Sequence, residues 1–331
     1  MYFSLIIPIF NRPDEIDELL ESLTLQTFTN NYEIVIIEDG SSITCKHIIE
    51  KYPTLNVSYY FKTNSGPGDS RNYGMNIAKG DYFIILDSDC IIPSSYLQTV
   101  DEELSKEYVD CFGGPDAALD SFSNIQKAIN FTMTSFLTTG GIRGGSEKLD
   151  KFQPRSFNMG LSKKAFDDSK GFGNIHPGED PDLSIRLWKL GYKTKLISKA
   201  FVYHKRRIDW NKFYTQVNKF GLARPILNSW YPEFSKITFW FPSLFLLGFL
   251  FSVFCTFFNF PYFLICYGFY FSLLFVSSLI KNKSLEIALY SLVAAVIQFY
   301  GYGKGFLLSF FKIHILKQQP ELAFPKMFFK R

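Results

Sequence analysis

Short apolar runs separated by longer amphipathic stretches set the rhythm of the first 120 residues. Residues 2–9 predict a buried strand, and residues 13–26 a helix with proline in its first turn and acids behind it. Residues 32–37 predict a strand, 44–51 a short helix, 57–61 a strand and 68–78 a helix. The pattern continues with a strand at 82–86, a helix at 94–106 and a strand at 109–113. Strands that are apolar throughout are buried on both faces, which implies a mostly parallel sheet with helices on either side. The fold class is therefore α/β, and ligands of such sheets sit at the carboxyl ends of the strands.

From residue 120 to 236 the pattern is less regular. A helix is predicted at 125–137, then a glycine-rich loop around Arg143 that is expected to move, a turn at 156–160, a helix at 180–190 and a strand at 193–197. A last helix at 209–228 carries Phe213, Val217, Phe220 and Leu227 at helical spacing. After Lys236 the character changes. Residues 237–258 carry no charge and are long enough to span a bilayer, and after the turn Asn259-Phe260-Pro261 a second span follows at 262–280. The segment 285–311 is a third span or an interfacial piece. It carries Glu286 and Gln298, and Gly301, Gly303 and Gly305 are expected to bend it. The expected domains are 1–236, with halves 1–115 and 116–236, and a membrane region at 237–331.

Composition sharpens this division. Hydrophobic residues make up 47% of the 331 and aromatics 18%, with 37 Phe, much of the excess beyond residue 237. The net charge of +4 is uneven, because the last 95 residues are basic and the first 236 come to about −2. A basic apolar region next to a near-neutral one argues for an anionic membrane surface as partner and against nucleic acid. The cysteines (Cys45, Cys90, Cys111, Cys255 and Cys266) are scattered and form no CxxC pair, as expected of small buried hydrophobes in a reducing compartment. The opening apolar run is too short and wrongly flanked for a signal peptide. The first domain is thus expected in the cytoplasm, with Lys281 and Lys283 returned to the same side of the cell (inner) membrane.

Asp87-Ser88-Asp89 closes the strand at 82–86. On an extended backbone Asp87 and Asp89 are expected to project to the same side. Two hard oxygen donors there suit Mg2+ or Mn2+, although a solvated turn or helix cap is the plainer reading of the triplet alone. Glu38-Asp39-Gly40-Ser41 and Pro8-Ile9-Phe10-Asn11 end two other strands at the same sheet edge. Between them runs Gly66-Pro67-Gly68-Asp69-Ser70-Arg71, whose sixth position is not glycine, so a dinucleotide fingerprint fails. An arginine entering a helix there suits a diphosphate or base contact.

SLIIPIFNR, IVIIEDGS, GPGDSRNYGMNIAKGDYFIILDSD and GEDPDLSIRLWKLGYK occur in this order. Over residues 2 to 225 the chain resembles the family 2 inverting glycosyltransferases of GT-A fold, and is similar to polysaccharide-assembly members with a C-terminal membrane anchor. The resemblance implies transfer of a sugar from a nucleotide-sugar donor, UDP-linked by preference, to a lipid-linked or membrane-proximal glycan acceptor. It puts the Pro8 region and Asp39 at the nucleobase and ribose. The Asp87-Ser88-Asp89 turn would hold the metal, with Asp89 as the direct ligand. Asn11, Glu38 and Arg71 complete the candidate donor set.

The resemblance makes Asp180 the base that takes a proton from the acceptor hydroxyl, with Glu179 orienting the acceptor. Acids at a helix N-terminus are also expected on electrostatic grounds alone. His204 is a candidate third metal ligand or phosphate donor, or a surface histidine. Arg206, in a basic triplet, suits a diphosphate, a lipid headgroup or plain solvation. Gln216 stands where processive synthases carry a QxxRW element. Lys219 and Phe220 replace its last two residues, which argues for transfer of a single sugar, and Arg224 is a substitute guanidinium. Asn158 falls where the family forms its acceptor surface. Two rivals remain: a polyprenyl-phosphate sugar synthase, whose anionic acceptor needs little base help, and a non-catalytic membrane scaffold. A scaffold has no use for the acids at Asp39, Asp87, Asp89 and Asp180.

Overall fold

A computed structural model describes residues 1–117, 119, 121–140, 151–205 and 209–329. The chain begins β1 (Phe3–Ile9), α1 (Pro13–Thr24), β2 (Tyr32–Asp39), α2 (Lys46–Ile49), β3 (Val57–Lys62), α3 (Pro67–Ile77) and β4 (Tyr82–Leu86). It continues with β5 (Cys90–Ile91), α4 (Tyr96–Lys106), β6 (Cys111–Gly113), β7 (Asp116–Ala117), α5 (Asn124–Thr134), α6 (Phe136–Thr139) and β8 (Asn158–Ser162). Then come α7 (Lys163–Ser169), α8 (Glu179–Lys189), β9 (Thr194–Leu196), β10 (Val202–His204) and α9 (Trp210–Trp230). The apolar helices α10 (Phe241–Thr256), α11 (Tyr262–Asn282) and α12 (Leu285–Phe310) precede a short α13 (Pro320–Ala323).

The main sheet has the order β3-β2-β1-β4-β8-β6-β9. Its first four strands are parallel, with Ile6 of β1 opposite Val35 on one side and Ile85 on the other. β8 is antiparallel to β4 and β6, and β9 is parallel to β6. Alternation divides the apolar residues between two cores. Leu5, Ile7, Ile36 and Ile84 face α1 and α4 through Ile16, Leu20, Leu97 and Val100. Ile6, Val35, Ile37 and Ile85 face α3, α7 and α8 through Met75, Phe166 and Leu183. The strand order reverses at β1, and the carboxyl ends beside such a reversal are where ligands lie. A small sheet, β5-β10-β7, adds to that end.

The turn expected at 156–160 occupies residues 156–157, closed by Asn158 N donating to Arg155 O at 2.9 Å, and from Asn158 the chain is β8, every residue of which is buried. Its sequence hides it, because Met159 and Leu161 are its only large apolar residues. Gly160 accommodates the Phe112 ring, which a Cβ there would approach to 2.0 Å.

By contacts the chain divides into two compact units, Met1–Ala117 with Gly145–Lys205 and Phe328–Arg331, and Ala118–Gly144 with Arg206–Met327. This division differs from the expected boundary at 236, since α5, α6 and α9 belong to the second unit. Among the described residues, three helices are long and apolar enough to cross a membrane: Ile237–Thr256, Tyr262–Asn282 and Leu285–Ile315. The third is 39% buried against 11% for each of the others, which makes α12 the centre of the second unit. The glycines at 301–305 do not interrupt the helix, and α12 continues to Phe310. The glycines instead mark close approaches. A Cβ on Gly305 would lie 2.4 Å from Asn218 O of α9, and one on Gly221 of α9 would lie 2.2 Å from Tyr302 O. Glu286 sits in the first turn of α12 and accepts from Asn124 Nδ2 at 2.8 Å.

Candidate active site

Where β2 ends, alternation sends Glu38 and Asp39 to opposite faces of the sheet. The Asp39 carboxylate gathers the loop between β3 and α3. It accepts from Lys62 Nζ at 2.6 Å, Ser65 N at 2.9 Å, Gly66 N at 2.9 Å and Asn64 Nδ2 at 3.2 Å. Gly66 holds φ at 95°, a conformation that suits glycine. Glu38 is fully buried and accepts from Cys45 N at 2.8 Å and Tyr59 OH at 3.1 Å. These bonds, both to Oε2, give Glu38 a bracing job at the start of α2. Asn11 Oδ1 accepts from Ser42 N at 2.8 Å and Ile43 N at 3.1 Å, tying the exits of β1 and β2 together. Pro8 is half-buried within β1.

After β4 the backbone turns at once, with Cys90 N donating to Asp87 O at 3.2 Å. The extended geometry expected of residues 87–89 is therefore replaced, and the two acids take different partners. Asp87 accepts from Arg71 Nη2 at 2.6 Å. Asp89 Oδ2 accepts from Arg12 Nη1 at 3.0 Å, and its Oδ1 lies 3.2 Å from His204 Nε2. The pairing of β10 with β5 sets His204 opposite Cys90, and the imidazole stacks on Phe157 at 4.6 Å. Ser88 is buried in the same turn.

Asp89, Cys90 and His204 present ligand atoms within 4.8 Å of one another. A carboxylate and an imidazole fit a divalent cation such as Mn2+ or Mg2+. The thiol does not, because burial, and then the charges of Asp89 and Asp87, push its pKa well above the usual range. The guanidinium of Arg12 on Asp89 marks the same place as one that favours positive charge.

α3 lies close on the sheet at Gly74, where a Cβ would come within 2.7 Å of Ile6 Cγ2. Arg71, 3% exposed, thereby reaches two acids at once. It donates to Asp87 through Nη2 and to Glu179 Oε1 through Nη1 at 3.4 Å, and its guanidinium lies 5.3 Å from the Phe172 ring centre. Glu179 also meets His176 Nδ1 at 2.8 Å and accepts from Gly178 N at 2.9 Å. Asp180 follows at the start of α8, and its Oδ1 has no hydrogen-bond partner among the described residues. Burial and then the charge of Glu179 push the Asp180 carboxyl up to about 6, against the pull of Arg71, Arg155 and Ser156. Burial also opposes ionisation of Glu179, but His176 and Arg71 outweigh it and hold that carboxyl down. Asp182 bonds Arg186 at 2.7 Å within α8, as befits a first-turn acid.

Asn158 is fully buried, accepts from Tyr96 OH at 2.6 Å and donates to Ala200 O at 2.8 Å. It clamps the sheet and has no surface to offer an acceptor. Gln216 and Arg224 belong to the second unit, where the Arg224 guanidinium stacks 4.1 Å over Phe239. Arg206 and Arg143 lie outside the described residues. Arg12, Arg155, Ser156 and His176 join the candidate site without any motif of their own. Arg12 stood one residue beyond Asn11 and His176 three before Glu179, so proximity to an assigned residue was the available signal.

The family model described as glycosyl transferase family 2 matches residues 4–169, half of the chain. The chain belongs to this family. Over 202 residues it is 26% identical to the GalNAc(5)-diNAcBac-PP-undecaprenol beta-1,3-glucosyltransferase of Campylobacter jejuni, covering 60% of this chain and 62% of that one. It is 33% identical over 114 residues to the poly(ribitol-phosphate) beta-N-acetylglucosaminyltransferase TarS of Staphylococcus aureus, covering 33% of this chain and 20% of TarS. The match thus spans less than two thirds of either relative. A mannosyltransferase from Pyrobaculum calidifontis, solved with GDP-Man and Mn2+, aligns with a TM-score of 0.56 at 14% identity over 96% of this chain and 88% of its own, which shows the GT-A fold. The chain thus carries a family 2 domain of GT-A fold and, among the described residues, apolar helices long enough to cross a membrane.

Proposed function

We propose that the protein transfers a single sugar, with inversion, from a nucleotide sugar to a lipid-linked or membrane-proximal glycan in cell-surface polysaccharide assembly. UDP is the first candidate for the nucleotide. The observation that carries this reading is Arg71, which bonds Asp87 on the donor side and Glu179 on the acceptor side, beside Asp89 and Asp180. Asp180 takes the proton of the acceptor hydroxyl while its oxygen attacks the anomeric carbon from the face opposite the diphosphate. That carbon's bond to the diphosphate breaks, and the nucleotide departs. Asp89 and His204 are the residues that would hold a divalent cation, whose chemistry is neutralisation of the diphosphate charge.

The Campylobacter relative's name places its acceptor on undecaprenyl diphosphate, which supports a lipid-linked substrate here. The hairpin of α10 and α11 supplies two membrane crossings, with the first unit on the cytoplasmic side of the inner membrane. The test is thermal-shift screening of the full chain with UDP- and GDP-sugars, with and without MnCl2, followed by transfer of labelled sugar to an undecaprenyl-diphosphate glycan. A sugar nucleotide that stabilises the chain and is consumed only with acceptor is the expected result. Failure of every nucleotide sugar to bind would overturn the proposal.

A further inference from the structure

We propose that Phe329 is a positioning residue for this reaction, acting through His176 on Glu179; the inference rests on the glycosyl-transfer reading above. After the apolar helices the chain returns to the first unit. There Phe328 forms an antiparallel bridge with Ile175, and Phe329 N donates to Asn174 O at 3.1 Å. The ring then lies directly on Gly66, where a Cβ would come within 2.4 Å of its Cδ2. Its centre is 6.0 Å from that of the His176 imidazole. The same ring lines a small cavity together with Ser65, Asp69, Asn72, Phe172 and His176.

These contacts join the two sides of the site. Gly66 N is a ligand of the Asp39 carboxylate, at 2.9 Å. His176 Nδ1 holds Glu179 at 2.8 Å, and Glu179 meets the Arg71 that also holds Asp87. The positive φ of Gly66 requires glycine, and the space left by the missing side chain seats the Phe329 ring. The loop from Asn174 to Gly178 is thereby held by backbone pairing with Phe328 and Phe329 and by the tilted Phe329 ring beside His176. Without the ring, His176 loses a neighbour that confines it, and Glu179 loses a fixed partner. Misplacement of such a group by a fraction of an ångström is enough to slow a positioned reaction.

The experiment uses the full chain in nanodiscs, with Phe329→Ala, Phe329→Leu, His176→Ala and the double variant Phe329→Ala/His176→Ala. Phe329→Ala is expected to lower kcat on the order of tenfold, with donor Kd within about twofold of the parent. Phe329→Leu restores most of the rate, and the double variant is no slower than His176→Ala. Additive losses in the cycle, an unchanged kcat, or a kcat that rises because the ring had obstructed the acceptor would each overturn the proposal. If the parent chain transfers no sugar, the functional reading fails by itself. The Phe329 contact is then read from the ring-nitrogen NMR shifts of His176, and identical shifts in Phe329→Ala and the parent reject it.

Discussion

Two acid pairs, Asp87 with Asp89 and Glu179 with Asp180, occupy the two sides of the site and are built alike up to a point. In each, Arg71 takes the first acid, Asp87 at 2.6 Å and Glu179 at 3.4 Å, and leaves the second to other neighbours. The pairs then part. Asp89 sits between the Arg12 guanidinium and the His204 imidazole. Asp180 sits against the negative charge of Glu179, with one oxygen that no described residue satisfies. On the proposed reading, one pair receives positive charge and the other a proton. The difference comes from what stands beside each second acid, since the acids themselves are chemically the same.

If the second acids do the chemistry, the isosteric variants Asp89→Asn and Asp180→Asn each lower kcat on the order of 10³-fold. Asp180→Asn keeps a melting temperature close to the parent's, because Arg71 and its two acids are untouched, whereas Asp89→Asn also loses the charge that pairs with Arg12 and melts lower. Transfer assays with saturating donor decide it. A variant Asp180→Asn that stays active while Asp89→Asn does not would mean that the acceptor arrives already ionised, as a polyprenyl phosphate does, and the proton-receiving half of the comparison would fall.

Arg71 is the element the two pairs share, so its loss affects both. Arg71→Met leaves the buried Glu179 and the half-buried Asp87 without their cation. Such a change costs about 3–5 kcal/mol, read as a drop in the urea midpoint. Arg71→Lys keeps the charge but has no planar fork to reach two carboxylates. It should retain most of the stability and lose the greater part of the rate. Equal stability in all three proteins would show that the guanidinium is not the clamp its distances describe.

The parallel half of the sheet was legible because β1, β2 and β4 are buried on both faces and read as unbroken apolar runs. β8 was not, since a strand of Asn, Met, Gly, Leu and Ser packs by virtue of the Phe112 ring over Gly160, a long-range fit that no local pattern announces. The glycines of α12 misled for a related reason, because close approach to a distant helix and a break in the chain call for the same residue. In the candidate site, strand ends single out Asp39, Asp87 and Asp89 and the helix after Gly66 singles out Arg71, while Glu179 and Asp180 enter through the resemblance. Which acid faces which cation follows from neither, because the turn at residues 87–90 and the reach of Arg71 from α3 are set by tertiary packing.

The smallest effect concerns the charge that separates the pairs. Asp180 has a raised folded-state pKa of about 6, so below that pH it is protonated and cannot accept the acceptor's proton. The rate should therefore fall as pH drops through about 6, and recover above it. Burial is the larger cause of the rise and the charge of Glu179 the next. Glu179→Gln removes only the second, so the acid limb should move to lower pH while remaining above that of an ordinary aspartate. The neutral amide of this variant keeps an oxygen for Arg71 and His176, so the plateau rate at higher pH should fall much less than in Asp180→Asn. A limb that does not move would mean that Asp180 does not sense its neighbour, and that burial alone distinguishes it from Asp89.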